Sequence, residues 1–336
     1  MMRELVILGT ASQVPTRYRN HNGYFLRFDN EGFLFDPGEG TQRQMQFAGL
    51  SVSDITRLCI THFHGDHALG LPGVLQRMSL DDVPHEVVCH FPGEHEEYFE
   101  RLRFATPHYA RAKIATQPAT GIRSYPLDGG RGSGSGTGTG TEVGTGTATG
   151  TTNGTDLTLR VAPLDHGIPC QGYRLDEADG IRMLPRKLAA AGIKGPDISR
   201  LRAEGRLGDV RLEDVSIRKP GQSFAFLMDT RRCPGAEQLA ADVDLLVVEA
   251  TFLDSEEAQA TEFGHLTARQ AARLAADAGV RELVLTHFSQ RYPIDEAPAR
   301  YLAEAAEEFH GPIHIAEDLM RIPFPKRVEE TKNDND

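Results

Sequence analysis

Residues 61–67, THFHGDH, constrain the fold of this chain more than any other stretch. Three histidines and one aspartate fall within six residues, directly after the apolar run at 58–60 and on a turn broken by Gly65. A run that short and apolar reads as a buried strand, and a rigid strand followed by a tight turn aims several side chains into one small volume. Imidazole nitrogen and carboxylate oxygen suit Zn²⁺. Four potential ligands this close imply two metals, so His62, His64, Asp66 and His67 are candidate ligands. The competing interpretation is a polar turn whose histidines are satisfied by backbone.

One segment cannot complete two coordination shells, so further donors are expected at later strand ends. Short apolar, β-branched runs recur at 5–8, 33–35, 87–89, 157–161, 224–227, 245–248, 283–285 and 313–315. Asp165 and His166 follow one of them in APLDHGIP, Asp229 follows another in FLMDTRR, and His287 a third in LVLTHFSQRY. Any one of these alone would serve as an ordinary loop residue; the repeated order of strand, then His or Asp, is what points to ligands. His265, in EFGHLTA before a helical pattern, is a weaker candidate by spacing, with helix capping as its alternative. Helical patterns at 235–241 and 267–278, the second entered by Thr267 as N-cap, alternate with the later strands. Strands that first cluster and then alternate with helices predict a layered α/β domain.

Composition narrows the function class. The 336 residues, 39% hydrophobic and 25% charged, describe an ordinary soluble globular chain. No apolar run approaches the roughly 18 residues of a membrane span, and the N-terminus lacks a basic-then-apolar secretory pattern. The four cysteines are scattered without a Cys-x-x-Cys pair. A cytoplasmic protein with thiols as core fillers is expected. Residues 129–154 hold 11 of the 34 glycines and cannot bury a core. They read as a flexible Gly/Thr-rich insertion at a loop tip within a single domain spanning 1–325, and excising 130–152 is expected to leave activity intact. A frayed tail is expected over 326–336.

The net charge of −12 argues against indiscriminate polyanion binding. Basic residues are nevertheless segregated: residues 182–219 carry ten Lys or Arg against five Asp or Glu, with a Gly195–Pro196 break between two short helical patterns. That stretch reads either as a nucleic-acid-binding arm or as a solvated basic hairpin.

HFHGDH followed by single His, Asp and His residues at later strand ends resembles the metallo-β-lactamase superfamily. LGTASQVPTRYRN, DPGEGTQRQ, HFHGDHALGLPG, EATF with the later GHLTA, and HFSQRY more narrowly resemble the ribonuclease Z family, whose members remove 3′ trailers from precursor tRNA. The resemblance implies a four-layered αββα sandwich, α/β (α+β) in class, with a dinuclear zinc site of two Zn²⁺ per subunit and a protruding flexible arm. It assigns His62, His64 and His166 to one zinc, Asp66, His67 and His287 to the other, and Asp229 as bridge. It makes Asp66 a proton acceptor and His265 the donor to the departing sugar oxygen, with Glu249 as the residue expected to orient His265. Asp36 and Glu39 are expected to support the ligands. The arm at 182–219, through Lys194, Gly195 and Pro196, is expected to grip tRNA. Arg17, Arg43 and Gln44 are expected near the acceptor end. A homodimer is implied too, with no membrane partner. Met228, where the family commonly has glycine, is expected to crowd the loop of Asp229.

Two other functions stay open on the sequence. A small-molecule hydrolase of the same superfamily, acting on a cyclic phosphodiester, an ester or a lactam, would have no use for a basic arm. An RNA-binding module with a structural metal would not need a separate proton donor.

Overall fold

The computed structural model describes residues 2–127 and 157–327. The insertion expected at 129–154 and the tail from 328 onward lie outside the described residues.

Each apolar run singled out in the sequence forms a strand, and among the described residues the strands assemble into two seven-stranded sheets. The first runs, edge to edge, Arg321–Pro323, Arg3–Gly9, Gly23–Phe28, Glu31–Phe35, Arg57–Cys59, Val87–Pro92 and Ile114–Ala119. The second runs Ile313–Ile315, Glu282–Thr286, Leu245–Glu249, Ser223–Leu227, Cys170–Glu177, Leu157–Leu164 and Arg123–Leu127. Pairing is parallel from Glu31–Phe35 outward in the first sheet and from Ser223–Leu227 to Ile313–Ile315 in the second.

Period-two alternation decides which sheet face meets which layer. Leu5, Ile7, Tyr24, Leu26, Phe33 and Phe35 face the second sheet, while Val6, Leu8, Phe25, Leu34 and Leu58 face Leu71, Val74, Leu75, Met78 and Phe99 on the outer helices. Phe35 is the hub between sheets, 4.6 Å from the Phe226 ring and 5.8 Å from Tyr173. Truncating so deeply buried an aromatic costs about 3–5 kcal/mol. On the far side, helix Ala268–Asp277 buries Ala271, Ala272, Leu274 and Ala275 against the second sheet. Thr267 caps that helix as expected, accepting from Gln270 N while the Gln270 side chain accepts from Thr267 N, a reciprocal pair worth about 1 kcal/mol. Helix, sheet, sheet and helix layers are therefore present as anticipated. Among the described residues no helix is long and apolar enough to cross a membrane.

The basic stretch forms a self-contained unit. Strands Gly180–Met183 and Ser216–Lys219 pair as an antiparallel stalk, and helices Pro185–Ala190 and Pro196–Glu204 close over a small core of Leu188, Ile193, Leu201 and Val215. The break falls where the sequence placed it: Gly195 has φ 57°, and Pro196 opens the second helix.

Near the base of this unit, buried Glu177 accepts from Arg3 at 2.7 Å and from Arg327 at 2.7 Å. Burial opposes the charge on Glu177, but the two guanidinium groups outweigh it and lower its pKa. Lys326 also contributes, its carbonyl accepting from Arg281 at 2.9 Å. The first two residues of the expected frayed tail are thus tied down, a correction whose cause is, for Arg327, a buried carboxylate that needs cations and, for Lys326, a backbone carbonyl held by Arg281. The cysteines behave as core fillers: all four are free, and Cys59, Cys89 and Cys170 are buried.

Candidate metal centre

All the parallel strands point their C-terminal ends at one edge of the paired sheets, and the chemistry-bearing residues follow those ends. Asp36 follows Phe35, the THFHGDH turn follows Cys59, Asp229 follows Leu227, and His287 follows Thr286. Three of these residues leave their strands in the left-handed backbone region, Asp36 at φ 43°, Asp229 at 47° and His287 at 61°. Non-glycine residues adopt that region at a cost, and such strain gathers at functional sites.

The seven predicted ligands converge as two groups. In the first, His64 Nδ1 lies 3.0 Å from His62 Nε2 and 3.3 Å from His166 Nε2. In the second, His67 Nε2 lies 3.3 Å from His287 Nε2, and Asp66 Oδ2 lies 3.3 Å from His67 and 3.4 Å from His287. Asp229 divides its oxygens between them. Its Oδ2 stands 3.5 Å from His62 Nε2, and its Oδ1 stands 3.2 Å from His287 Nε2.

The outer nitrogens of these rings have donor positions assigned by their surroundings. His67 Nδ1 meets Asp36 Oδ2 at 2.8 Å, and His166 Nδ1 meets Gly264 O at 3.1 Å. His62 Nδ1 meets Thr61 Oγ1 at 3.0 Å, and the Thr61 hydroxyl is itself donated to Asp36. With Nδ1 carrying the proton on His62, His67 and His166, their Nε2 atoms face inward as acceptors, 3.5, 3.3 and 3.8 Å from carboxylate oxygens of Asp229, Asp66 and Asp229, and acceptors crowded in this way call for a positive charge between them. Asp229 Oδ1 adds to this demand, being buried with no hydrogen-bond partner among the described residues. The donor set of imidazoles and carboxylates therefore fits a divalent metal.

Electrostatics reports the same demand. Burial disfavours charge on His67, yet Asp229, Asp66 and Asp36 raise its pKa well above the usual value. Burial likewise opposes ionised Asp229, and His287 and His67 overcome it to hold the carboxyl well below its usual range.

Beside the cage, His265 Nδ1 lies 2.9 Å from Glu249 Oε1. Burial works against the imidazolium, but Glu249 and Asp229 carry its pKa up to about 9. Gly264 makes room for this arrangement: its φ is 77°, and an added Cβ would stand 2.9 Å from His166 Nδ1.

Several expectations need correction. Glu39 does not support the ligands; its side chain is 72% exposed and its ion-pair neighbour is His21 at 3.9 Å. Gln44 is buried and gives its amide to Leu8 O at 2.7 Å and Asp318 Oδ2 at 3.2 Å, so it is occupied in holding the helix and not open to a substrate. The burial of 41, 44 and 45 on helix Thr41–Phe47 has helical spacing, a signal that was readable. Asp165 pairs with Arg231 at 3.3 Å rather than joining the cage. Met228 places its side chain, fully buried, in the main core.

Arg17 and Arg43 are both exposed. The segment that carries Arg17 borders His287, since Ser12 N donates to Phe288 O and Phe288 N to Thr10 O. Arg43 lies over the Phe47 ring at 4.6 Å. Lys194, Gly195 and Pro196 are exposed at the turn between the two arm helices, on a unit separate from the cage. Sequence reasoning missed Asn22, whose Nδ2 lies 3.2 Å from His67 Nε2 and whose Oδ1 accepts from buried Tyr24. It also missed Thr61. Nothing in the local pattern marks Asn22; Thr61 at least adjoins the motif.

A family model described as the metallo-β-lactamase superfamily matches residues 16–166, and one described as a beta-lactamase superfamily domain matches 211–288. The ribonuclease Z of Streptomyces avermitilis is 51% identical over 326 residues, which is 97% of this chain and 99% of that protein. The ribonuclease Z of Nocardia farcinica is 52% identical over 330 residues, again 97% and 99%. Among solved structures, the short form of human tRNase Z matches with a TM-score of 0.63 at 24% identity, over 96% of this chain and 100% of that one, which shows a common fold.

Proposed function

The chain belongs to the ribonuclease Z family of the metallo-β-lactamase superfamily, and from that membership we propose that it is a zinc-dependent endoribonuclease removing the 3′ trailer from precursor tRNA. The observation that carries the reading is the pairing of a two-group donor cage, bridged by Asp229, with a separate His265–Glu249 pair at its edge.

His62, His64 and His166 would hold one Zn²⁺, and Asp66, His67 and His287 the other, with Asp229 shared, giving two ions per subunit. Bound there, divalent cations supply a water that is nucleophilic near neutral pH and offset the charge of the phosphoryl group. The protein supplies the proton traffic. Asp66 is held well below the usual carboxylate range, because His67 and His287 outweigh its burial, so it stays ionised as a ligand; its role as acceptor of the water's proton is carried over from the family and does not follow from that shift. His265 is the donor. Its Nδ1 is committed to Glu249, which leaves Nε2 to protonate the departing 3′-oxygen, a poor leaving group without that proton. The tRNA keeps a 3′-hydroxyl and the trailer a 5′-phosphate.

The arm supports an RNA substrate. Among the described residues Arg186, Lys187, Lys194 and Arg202 have no ion-pair partner, whereas Arg200, Arg206 and Arg211 are matched by neighbouring acids. Phosphate contacts from unmatched cations position a substrate without reading its sequence, as an enzyme acting on many tRNAs requires. Lys194, Gly195 and Pro196 would meet the tRNA body, and Arg17 and Arg43 the acceptor end. The enzyme would work in the cytoplasm as a homodimer, one arm clamping RNA cut by the partner subunit.

The test is to incubate metal-replete protein with a 3′-extended precursor tRNA and, in parallel, with bis(p-nitrophenyl) phosphate. One endonucleolytic cut is expected at the trailer junction. An exonucleolytic ladder, or hydrolysis of the small ester alone, would overturn the assignment.

A further inference from the structure

Strands Leu245–Glu249 and Glu282–Thr286 run parallel with Glu249 opposite Thr286, so the residues just beyond them emerge side by side. One of these is His287. The other is Thr251, which is 3% exposed and whose backbone carbonyl accepts from Tyr301 Oη.

The Thr251 hydroxyl has two close partners and a third, His265 Nδ1, farther off at 3.4 Å. It donates to Glu249 Oε2 at 2.6 Å, and it lies 2.7 Å from His287 Nδ1. A hydroxyl has one proton, and a carboxylate only accepts. With that proton given to Glu249, the hydroxyl oxygen must accept from His287, which fixes the proton on Nδ1 and leaves the Nε2 lone pair facing Asp229 and Asp66. The other oxygen of Glu249 accepts from His265 Nδ1 at 2.9 Å and from Thr230 N at 2.8 Å. A single buried carboxylate therefore orients two imidazoles, His265 directly and His287 through a hydroxyl.

We propose that Thr251 is a positioning residue that relays the Glu249 carboxylate to His287, setting the ligating tautomer at one half of the metal centre and coupling that half to the proton donor. The inference rests on the metal-centre reading above and extends it, since it concerns one half of the cage only. The group formed by His62, His64 and His166 has its own supports in Thr61 and Gly264 and makes no contact with Thr251. Losing an outer partner of a metal-bound histidine typically weakens metal binding by about 10–100-fold.

The experiment compares Thr251→Val, which keeps the shape and loses the hydroxyl, with Thr251→Ser, which keeps the hydroxyl and loses a methyl. Apo-protein of each variant is titrated with Zn²⁺ by calorimetry. Imidazole ¹⁵N shifts of the metal-free protein report the His287 tautomer. Thr251→Val is expected to bind one Zn²⁺ as the parent does and the other at least about tenfold more weakly, with a mixed tautomer at His287; Thr251→Ser is expected to match the parent on both readouts. Two sites in Thr251→Val with the parent's affinities, or a larger loss in Thr251→Ser than in Thr251→Val, would show that Thr251 only fills space and would overturn the proposal. Zinc titration is independent of the RNA. A failure of tRNA cleavage with intact relay effects would therefore fall on the proposed substrate, and not on Thr251.

Discussion

The cage and the arm are opposite solutions to placing charge. In the cage, residues from 22 to 287 converge on one edge of the sheets, and the outer nitrogens of His62, His67, His166 and His287 each have a partner there. In the arm, residues between 180 and 219 fold on one another around four buried apolar side chains, and Arg186, Lys187 and Lys194 stand in solvent. The first arrangement gives fixed geometry at the cost of strained backbone and buried charge. The second gives reach and field with little geometric demand. Substitutions should therefore act sharply and chemically in the cage, and gradually and through affinity in the arm.

The comparison breaks most visibly at Asp229. Asp229→Ala should empty or weaken both halves of the cage and lower kcat/KM on precursor tRNA by about 10³-fold, read by metal analysis alongside cleavage rates. Retention of both metals would mean that the two groups do not share a ligand.

His265 comes next. His265→Ala should lower kcat by about 10²-fold with metal content unchanged. The donor form is the protonated one, and the pKa is carried up to about 9, so the rate should fall as pH rises through about 9. Glu249→Gln removes the charge that raises it, moving that alkaline limb to lower pH; unchanged turnover and an unchanged limb would remove Glu249 from the mechanism.

For the arm, replacing Arg186, Lys187 and Lys194 together by Ala should raise KM for precursor tRNA by about tenfold and flatten the salt dependence of kcat/KM. Hydrolysis of bis(p-nitrophenyl) phosphate should not change. A fall in kcat instead would mean that the arm shapes the catalytic geometry as well as the encounter.

The smallest effect concerns the layer beneath the cage. His90 is fully buried between the sheets with neither ring nitrogen hydrogen-bonded among the described residues, and burial, aided by Arg57, lowers its pKa to about 3. The unfolded chain takes up a proton below about 6.5 that the folded chain refuses, so stability falls as pH drops from about 6.5 towards about 3. Replacing His90 by Leu should recover about 1 kcal/mol at pH 5.5 relative to its effect at pH 7.5, measured by urea unfolding at both values.

The ligands were legible because each follows a short apolar run, and strand followed by turn is a local pattern. His62, His64, Asp66, His67, His166, Asp229 and His287 could be picked out this way, as could the Gly195–Pro196 break in the arm. Their supports were not legible. Asn22 reaches His67 across 45 residues, and Thr251 reaches His287 across 36. Gln44 and Glu39, both near the same motif, looked equally available in the sequence and turned out buried and exposed respectively.

The sequence by itself determined the strands that lead into the site and the identity of the metal-seeking side chains, because short apolar runs and residue chemistry are properties of neighbours along the chain. Only the tertiary structure decided which nitrogen of each histidine faces inward, which carboxylate serves two groups, and which threonine passes a hydrogen bond onward. Those choices depend on donors and acceptors brought together from distant segments in a buried space, where an unmatched polar atom is too costly to leave and each partner fixes the next.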